Sequence, residues 1–274
     1  MITKTIPSTG ERIPAIGLGT YRAFNPLPNN SKTDLEQVLN LFFQAGGTLI
    51  DTSPMYGEAE SVIGQLLKKN KSNSQPFIAT KVWTTGQKNG LKEMNSSLSK
   101  LGYNNIDLMQ VHNLVDADTQ LTTLKEWRQA GIIKYIGITH YTDDAFDELS
   151  YYLKKYPEID FCQFPYSIAR RKAEKYFLAL CDDLQVATLI NRPFEQDDLF
   201  TIVQNHELPE LAKEFECTSW SHFFLKYILG HKGVTCVIPA TGRPNHMRDN
   251  LVSATGRMPD NNELKTMAKY FDTL

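Results

Sequence analysis

The chain has 274 residues, of which 41% are hydrophobic and 22% charged, with a formal net charge of −2. This ordinary composition excludes a disordered chain, and the lack of a basic excess excludes nucleic acid as the main partner. No apolar run reaches the ~20 residues of a membrane span, and Met1–Pro7 lacks the apolar stretch of a secretory signal, so no membrane partner and a cytoplasmic address are expected. Cys162, Cys181, Cys217 and Cys236 form no CxxC pair and have no histidine at ligand spacing. They read as small core residues, with no metal site.

Taken in order, the chain starts with a hairpin, Lys4–Ile6 and Arg12–Ile13 around Pro7-Ser-Thr-Gly10, placed to plug the bottom of whatever follows. Apolar, β-branched runs then alternate with stretches of helical spacing. Strand Ala15–Thr20 precedes helix Asp34–Ala45, in which Leu35, Val38, Leu39 and Phe42 share one face. Strands Thr48–Thr52, Phe77–Val82 and Ile106–His112 are followed by helices Ala59–Lys69, Leu91–Leu101 and Leu121–Ala130. Strands Tyr135–Thr139, Phe161–Phe164 and Ala187–Asn191 are followed by helices Asp144–Tyr156, Arg171–Leu184 and Pro209–Leu229. Strand Thr235–Pro239 leads to helix Asn245–Ala254. Gly46, Gly102 and Gly131 stand just past helical runs, where a left-handed residue ends the helix. Asn261–Leu274, with Leu264, Met267 and Phe271 at helical spacing, reads as a last helix packed outside.

Near-continuous apolar strands are those of a parallel sheet covered on both faces. Eight strand–helix units predict a closed (β/α)8 TIM barrel, an α/β fold in one domain over residues 1–274, with an N-terminal β-hairpin and a C-terminal helix. An open dinucleotide-binding sheet is disfavoured, because Gly17-Leu-Gly19-Thr20 has no third glycine after it.

In a barrel the chemistry lies at the carboxyl ends of the strands. Those positions hold Asp51, Tyr56, Lys81, Trp83, His112, Thr139, Gln163, Asn191 and Thr241. A phenol is a poor acid at neutral pH unless an ammonium stabilises its anion, and a carboxylate can hold that ammonium in place. Singly, Asp51 and Lys81 read as an ion pair, His112 as a core histidine and Tyr56 as a surface phenol; together at one mouth they are suited to proton transfer.

Across almost its whole length the sequence resembles the aldo/keto reductase family. The resemblance rests on Ala15-Ile-Gly-Leu-Gly-Thr-Tyr21, Leu49-Ile-Asp-Thr-Ser-Pro-Met-Tyr-Gly57, Ile78-Ala-Thr-Lys81, Asp107-Leu-Met-Gln-Val-His112, Ile133-Lys-Tyr-Ile-Gly-Ile-Thr139 and Val237-Ile-Pro-Ala-Thr241. It implies an oxidoreductase in which Tyr56 is the general acid, Lys81, held by Asp51, lowers the Tyr56 pKa, and His112 orients the carbonyl. The implied cofactor is NADPH/NADP+. Thr20, Thr139 and Gln163 would lie on its nicotinamide side, with Gln163 on the carboxamide and Arg192 near the pyrophosphate. Thr241 and Asn250 would meet the 2′-phosphate and the adenine. The sequence departs from the family at His140, where an Asn is usual, at Asn191, where many relatives stack a Tyr on the nicotinamide, and at Ala240, where a Lys is common. Arg243, His246 and Arg248 must then supply the positive charge. Tyr21, Trp83 and Phe194 match substrate-lining positions, although Phe194 serves equally as a loop anchor. Walls formed by Asn113–Gln120, Phe194–Leu208 and the stretch after Ala254 are short, so the expected partner is a small aldehyde or ketone. Two other readings stand beside this one: an NADPH-binding sensor or regulatory module with little turnover, and Schiff-base chemistry on Lys81, which a charged lysine would oppose.

Overall fold

The computed structural model describes residues 1–25, 31–70 and 75–274. The amino-terminal hairpin pairs β1 (Thr3–Thr5) antiparallel with β2 (Arg12–Pro14). Eight parallel strands follow, and their order around the sheet is their order in the chain. They are β3 (Leu18–Gly19), β4 (Leu49–Asp51), β5 (Phe77–Val82), β6 (Ile106–His112), β7 (Ile133–Thr139), β8 (Phe161–Pro165), β9 (Ala187–Asn191) and β10 (Cys236–Val237). The first and last strands meet through bridges Ile16–Val237 and Gly19–Ala240. Gly17 N donates to Val237 O and Val237 N to Ala15 O, each at 2.9 Å, so the sheet closes into a barrel. At this seam the backbones run so close that a Cβ on Gly19 would sit 2.6 Å from the Ile238 carbonyl oxygen. Only glycine fits there. Against the expected Ala15–Thr20 and Thr235–Pro239, the strands are Leu18–Gly19 and Cys236–Val237, extended by isolated bridges at Ile16 and Ala240.

Strand periodicity sorts the side chains. One face of the barrel strands supplies Leu49, Phe77, Ala79, Leu108, Tyr135, Phe161, Ala187, Leu189, Cys236 and Ile238, which form one buried cluster with Ile6 and Ile13 of the hairpin. The hairpin therefore closes the bottom of the barrel, and Thr9 Oγ1 lies 2.8 Å from the Tyr135 hydroxyl. Continuing along the same faces towards the carboxyl ends, the interior turns polar: Asp51, Lys81, Gln110, His112, Thr139, Gln163 and Asn191. The other faces pack against the helices in a second, larger apolar cluster.

The helices are α1 (Lys32–Gln44), α2 (Ala59–Lys69), α3 (Gln87–Leu101), α4 (Ala117–Gln129), α5 (Phe146–Lys155), α6 (Phe177–Asp183), α7 (Asp198–Val203), α8 (Leu211–Glu214), α9 (Trp220–Gly230), α10 (Pro244–Val252) and α11 (Asn261–Phe271). Gly46, Gly102 and Gly131 have φ of 84°, 80° and 72°, the left-handed ends their positions predict. Several expected boundaries are corrected. Pro209–Leu229 is two helices, because Glu216 turns left-handed at φ 56° and the Ser219 side chain caps α9 anew by accepting from His222 N. Arg171–Leu184 breaks into a 3-10 turn, Lys172–Lys175, and the shorter α6. Asp144–Tyr156 opens with a 3-10 turn, Asp143–Ala145. Helices α3 and α4 begin a turn earlier than Leu91 and Leu121, and α7 lies within a stretch read as loop. The tail helix ends at Phe271, is started by a reciprocal Asp260–Glu263 capping box, and packs Phe271 on Phe224 of α9 with ring centroids 5.9 Å apart. Among the described residues no helix is long and apolar enough to cross a membrane.

Candidate active site

Strands β4 and β5 are neighbours with Asp51 opposite Ala79, which sets the next inward residue of β5, Lys81, beside the Asp51 carboxylate. Lys81 Nζ donates to Asp51 Oδ2 at 2.7 Å and to the Thr52 carbonyl at 2.8 Å, and Lys81 is 0% exposed. The other carboxylate oxygen, Oδ1, accepts from Gln110 Nε2 at 3.0 Å and from Gln163 Nε2 at 2.9 Å. Asp51 is thus an ion held from three strands. Burial pulls the Lys81 ammonium down, but Asp51 and Tyr56 outweigh it, and the net displacement is above the ordinary lysine value.

The chain leaves β4 through a tight turn in which Tyr56 N donates to the Ser53 carbonyl at 3.0 Å. This turn brings the Tyr56 ring over Lys81, with Nζ 4.9 Å from the ring centroid. The ring also meets Tyr21 at 5.0 Å and His112 edge-on at 6.1 Å. Burial raises the phenol pKa above its ordinary value, and Asp51 adds to the rise; the Lys81 ammonium pulls it down but does not win. The direction expected of Lys81 is present, yet the free phenol is more firmly protonated than a solvated one. His112 is pushed down to about 3, first by burial and then by the charges of Lys81 and His140. A neutral imidazole therefore sits beside a protonated phenol, and both face the mouth.

The remaining candidates fall into three groups. Thr20, Thr139 and Gln163 are buried in the wall. Thr20 Oγ1 donates to the Asp51 carbonyl at 2.9 Å and Thr139 Oγ1 to Gln163 Oε1 at 3.2 Å. Gln163 Nε2 also reaches Gln110 Oε1 at 3.1 Å, so its donors are spent on the site's own framework and only Oε1 retains a free lone pair. Asn191 Nδ2 donates to the His140 carbonyl at 3.1 Å, while its Oδ1 is buried without a partner among the described residues. Two of the three expected departures from the family, His140 and Asn191, thus meet in one hydrogen bond. The Arg192 guanidinium covers Tyr141, 4.8 Å from the ring centroid, and His140 stacks on the same tyrosine at 5.3 Å.

Thr241 and Asn250 are buried at opposite ends of the segment that includes α10, whereas Arg243, His246 and Arg248 are exposed. Thr241 Oγ1 accepts from Arg243 N at 3.1 Å. Among the described residues no side chain caps the N-terminus of α10, so the N–H groups that follow Pro244 and three neighbouring basic side chains are left for an anion. On the rim, Tyr21 and Trp83 are 47% and 43% exposed. Phe194 is half-buried and packs against Phe200 in a tilted pair with ring centroids 5.0 Å apart. All four cysteines are free and buried.

Gln110 and Ser53 belong to this site and were not among the sequence candidates. Gln110 shares the parity of His112 on β6 and is the one polar residue within Leu108–Val111, a signal for an inward amide. A Cβ on Gly137 would come 2.8 Å from Gln110 Cγ: the glycine on β7 makes the room this side chain occupies.

The aldo/keto reductase family model matches residues 15–267. The Bacillus subtilis aldo-keto reductase YhdN is 26% identical, over 89% of this chain and 86% of its own length. The Escherichia coli NADH-specific methylglyoxal reductase is 27% identical over 77% and 73% of the two chains. The crystal structure of a thermostable aldo-keto reductase with the inhibitor epalrestat superposes with a TM-score of 0.80 at 27% identity, covering 98% of this chain and 99% of that one. The Klebsiella pneumoniae aldo-keto reductase in complex with NADPH shares the fold, with a TM-score of 0.82 at 20% identity over 99% and 96%. With a barrel closed in sequence order, a buried lysine–aspartate pair beneath a tyrosine at its mouth, and a family match over nearly the full length, the chain belongs to the aldo/keto reductase family.

Proposed function

We propose that this protein reduces small aldehydes or ketones to alcohols with NADPH, using Tyr56 as the proton donor. The observation that carries the reading is the fully buried Lys81–Asp51 pair directly beneath the Tyr56 ring. NADPH, when bound, supplies the hydride that reduces the carbonyl carbon. As negative charge builds on the carbonyl oxygen, Tyr56 gives it the phenolic proton. Lys81 is always an ammonium at working pH, so it stabilises the phenolate that remains, and Asp51 keeps it from swinging away. Neutral His112 offers a ring N–H to the same oxygen and orients it. A charged Lys81 is also a poor amine nucleophile, which argues against Schiff-base chemistry.

The residues present fit the cofactor. Uncapped α10 with Arg243, His246 and Arg248 suits the 2′-phosphate, and Thr241 and Asn250 flank it. The orphaned Asn191 Oδ1 suits an amide donor on the nicotinamide side, with Thr20, Thr139 and Gln163 behind it. Three basic groups at one helix start favour NADPH over NADH, even though one relative is an NADH-specific enzyme. Half-exposed Tyr21 and Trp83 leave an open rim, which supports small, varied carbonyl substrates over one bulky one.

The test is NADPH consumption with a panel of small aldehydes, measured for the wild type and Tyr56→Phe together with NADPH binding by fluorescence. The expected result is a loss of at least ~100-fold in kcat with binding retained. Unchanged turnover in Tyr56→Phe overturns Tyr56 as the donor. Tight NADPH binding by the wild type without turnover of any carbonyl overturns the enzyme reading in favour of a sensor.

A further inference from the structure

Ser53 stands in the turn between Asp51 and Tyr56, is 0% exposed, and makes two side-chain hydrogen bonds. Its Oγ lies 3.1 Å from His112 Nδ1, and it accepts from Met55 N at 3.2 Å. The placement of hydrogens decides what this contact means. A serine hydroxyl carries one hydrogen and can accept two. If His112 carried its hydrogen on Nδ1, Oγ would accept from both Nδ1 and Met55 N. Its own hydrogen would then be buried with no acceptor among the described residues, an unfavourable state for a hydroxyl with 0% exposure. If the hydroxyl donates to Nδ1 instead, every hydrogen is used: Met55 N to Oγ, Oγ to Nδ1, and the ring hydrogen on Nε2. Nε2 has no protein partner among the described residues, while His112 keeps 7% exposure.

We propose that Ser53 is a positioning residue that locks His112 in its Nε2–H tautomer, so that the ring presents a donor to the substrate carbonyl oxygen at the mouth. In water a neutral imidazole exchanges between tautomers; the buried hydroxyl removes that freedom. The catalytic half of this proposal rests on the reductase reading above, whereas the tautomer itself is a property of the free chain.

The test therefore has two independent arms. The first is the nitrogen NMR spectrum of the histidine-labelled free chain, with the His112 signals assigned by their loss in His112→Gln. The expected result is an Nε2–H pattern in the wild type, a shift towards mixed tautomers in Ser53→Ala, and return of the wild-type pattern in Ser53→Thr, which keeps the hydroxyl. An Nδ1–H pattern in the wild type overturns the proposal whether or not either variant folds, as does an unchanged pattern in Ser53→Ala. The second arm is kinetic. Ser53→Ala should lower kcat by roughly 5- to 10-fold, the value of one hydrogen bond, with KM for NADPH unchanged, and Ser53→Thr should recover it. A fall that Ser53→Thr does not recover, while the tautomer is restored, overturns the positioning role. A wild type with the Nε2–H pattern and no turnover of any carbonyl counts against the reductase reading and leaves the lock in place.

Discussion

The Asp51–Lys81 pair should respond asymmetrically to the loss of either partner. At 2.7 Å the gross attraction is about 6 kcal/mol for an effective dielectric near 20, against a desolvation cost of several kcal/mol for each ion. The net therefore depends on which hydrogen bonds survive. In Lys81→Met the unbranched side chain fills the same space, and Asp51 loses one donor but keeps Gln110 and Gln163 on Oδ1. Asp51 also loses its counter-ion, so the loss is about 3 kcal/mol, the low end for a broken buried pair, because two amide donors still hold the carboxylate. Asp51→Asn keeps the volume but offers only one acceptor where two ends need one. If its oxygen faces the glutamines, its amide faces the Lys81 ammonium; if it faces Lys81, donors meet donors at Gln110 and Gln163. A buried ammonium is then left with a carbonyl, and the loss is about 3–5 kcal/mol. Chemical denaturation of the free chain at neutral pH, followed by circular dichroism, compares the two. Equal losses, or a smaller loss for Asp51→Asn, would refute the idea that the carboxylate organises this cluster.

Further expectations concern neighbouring residues. Glu60 is buried on α2, with Oε1 accepting from Thr80 Oγ1 at 2.7 Å, and burial raises its carboxyl above the ordinary 4.5, against the pull of Thr80, Ser97, Lys100 and Lys81. A raised acid stabilises the fold while protonated. That contribution is complete below 4.5 and is lost as pH rises through the folded value, so Glu60→Gln should gain stability over the wild type as pH rises; a pH-independent difference in urea midpoint would count against it. With His112 neutral above about 3, kcat/KM for reduction should show no break from its ionisation between about pH 5 and 8, and a break near 6.5 that disappears in His112→Gln would contradict this. Gly137→Ala should cost about 1–3 kcal/mol through overpacking and lower activity by displacing Gln110 from Asp51, whereas a stable and fully active variant would show that Gln110 is dispensable.

Much of this molecule is legible in its residues because barrel strands obey simple periodicities. Predominantly apolar runs such as Ile106–Val111 identify buried parallel strands, and counting by twos from Leu49 to Asp51 or from Phe77 to Lys81 leads from floor to mouth. The helix ends at Gly46, Gly102 and Gly131 are readable for the same reason, one residue type answering one backbone need. Breaks such as that between α8 and α9 are not readable, because Glu216 takes a left-handed conformation against its own propensity, as Glu216 N and Cys217 N bond back to the Lys213 and Ala212 carbonyls. The sequence marks Gln110 as an inward amide by its parity, but neither its partners nor those of the Ser53 hydroxyl can be read there. Their meaning depends on which atom of a neighbouring strand lies opposite, and only closure of the barrel decides that. The contact of Arg192 with the ring of Tyr141 is likewise set by the closed barrel and not by either residue alone.

The seam between β3 and β10 has a consequence for the order of assembly. It is a scant pairing, two bridges and a few backbone bonds, yet it lies between Thr20 and Tyr21 on one side and Thr241 on the other. Pairings such as β5 with β6 and β6 with β7 are local along the chain and long, whereas the seam joins segments more than two hundred residues apart. Loop closure makes such a contact the slow one to form and the early one to lose. During refolding, the Lys81–Asp51 pair can be in register while the two edges of the mouth are still apart. Recovery of function thus clocks the last stitch of the barrel, and secondary structure is regained ahead of it.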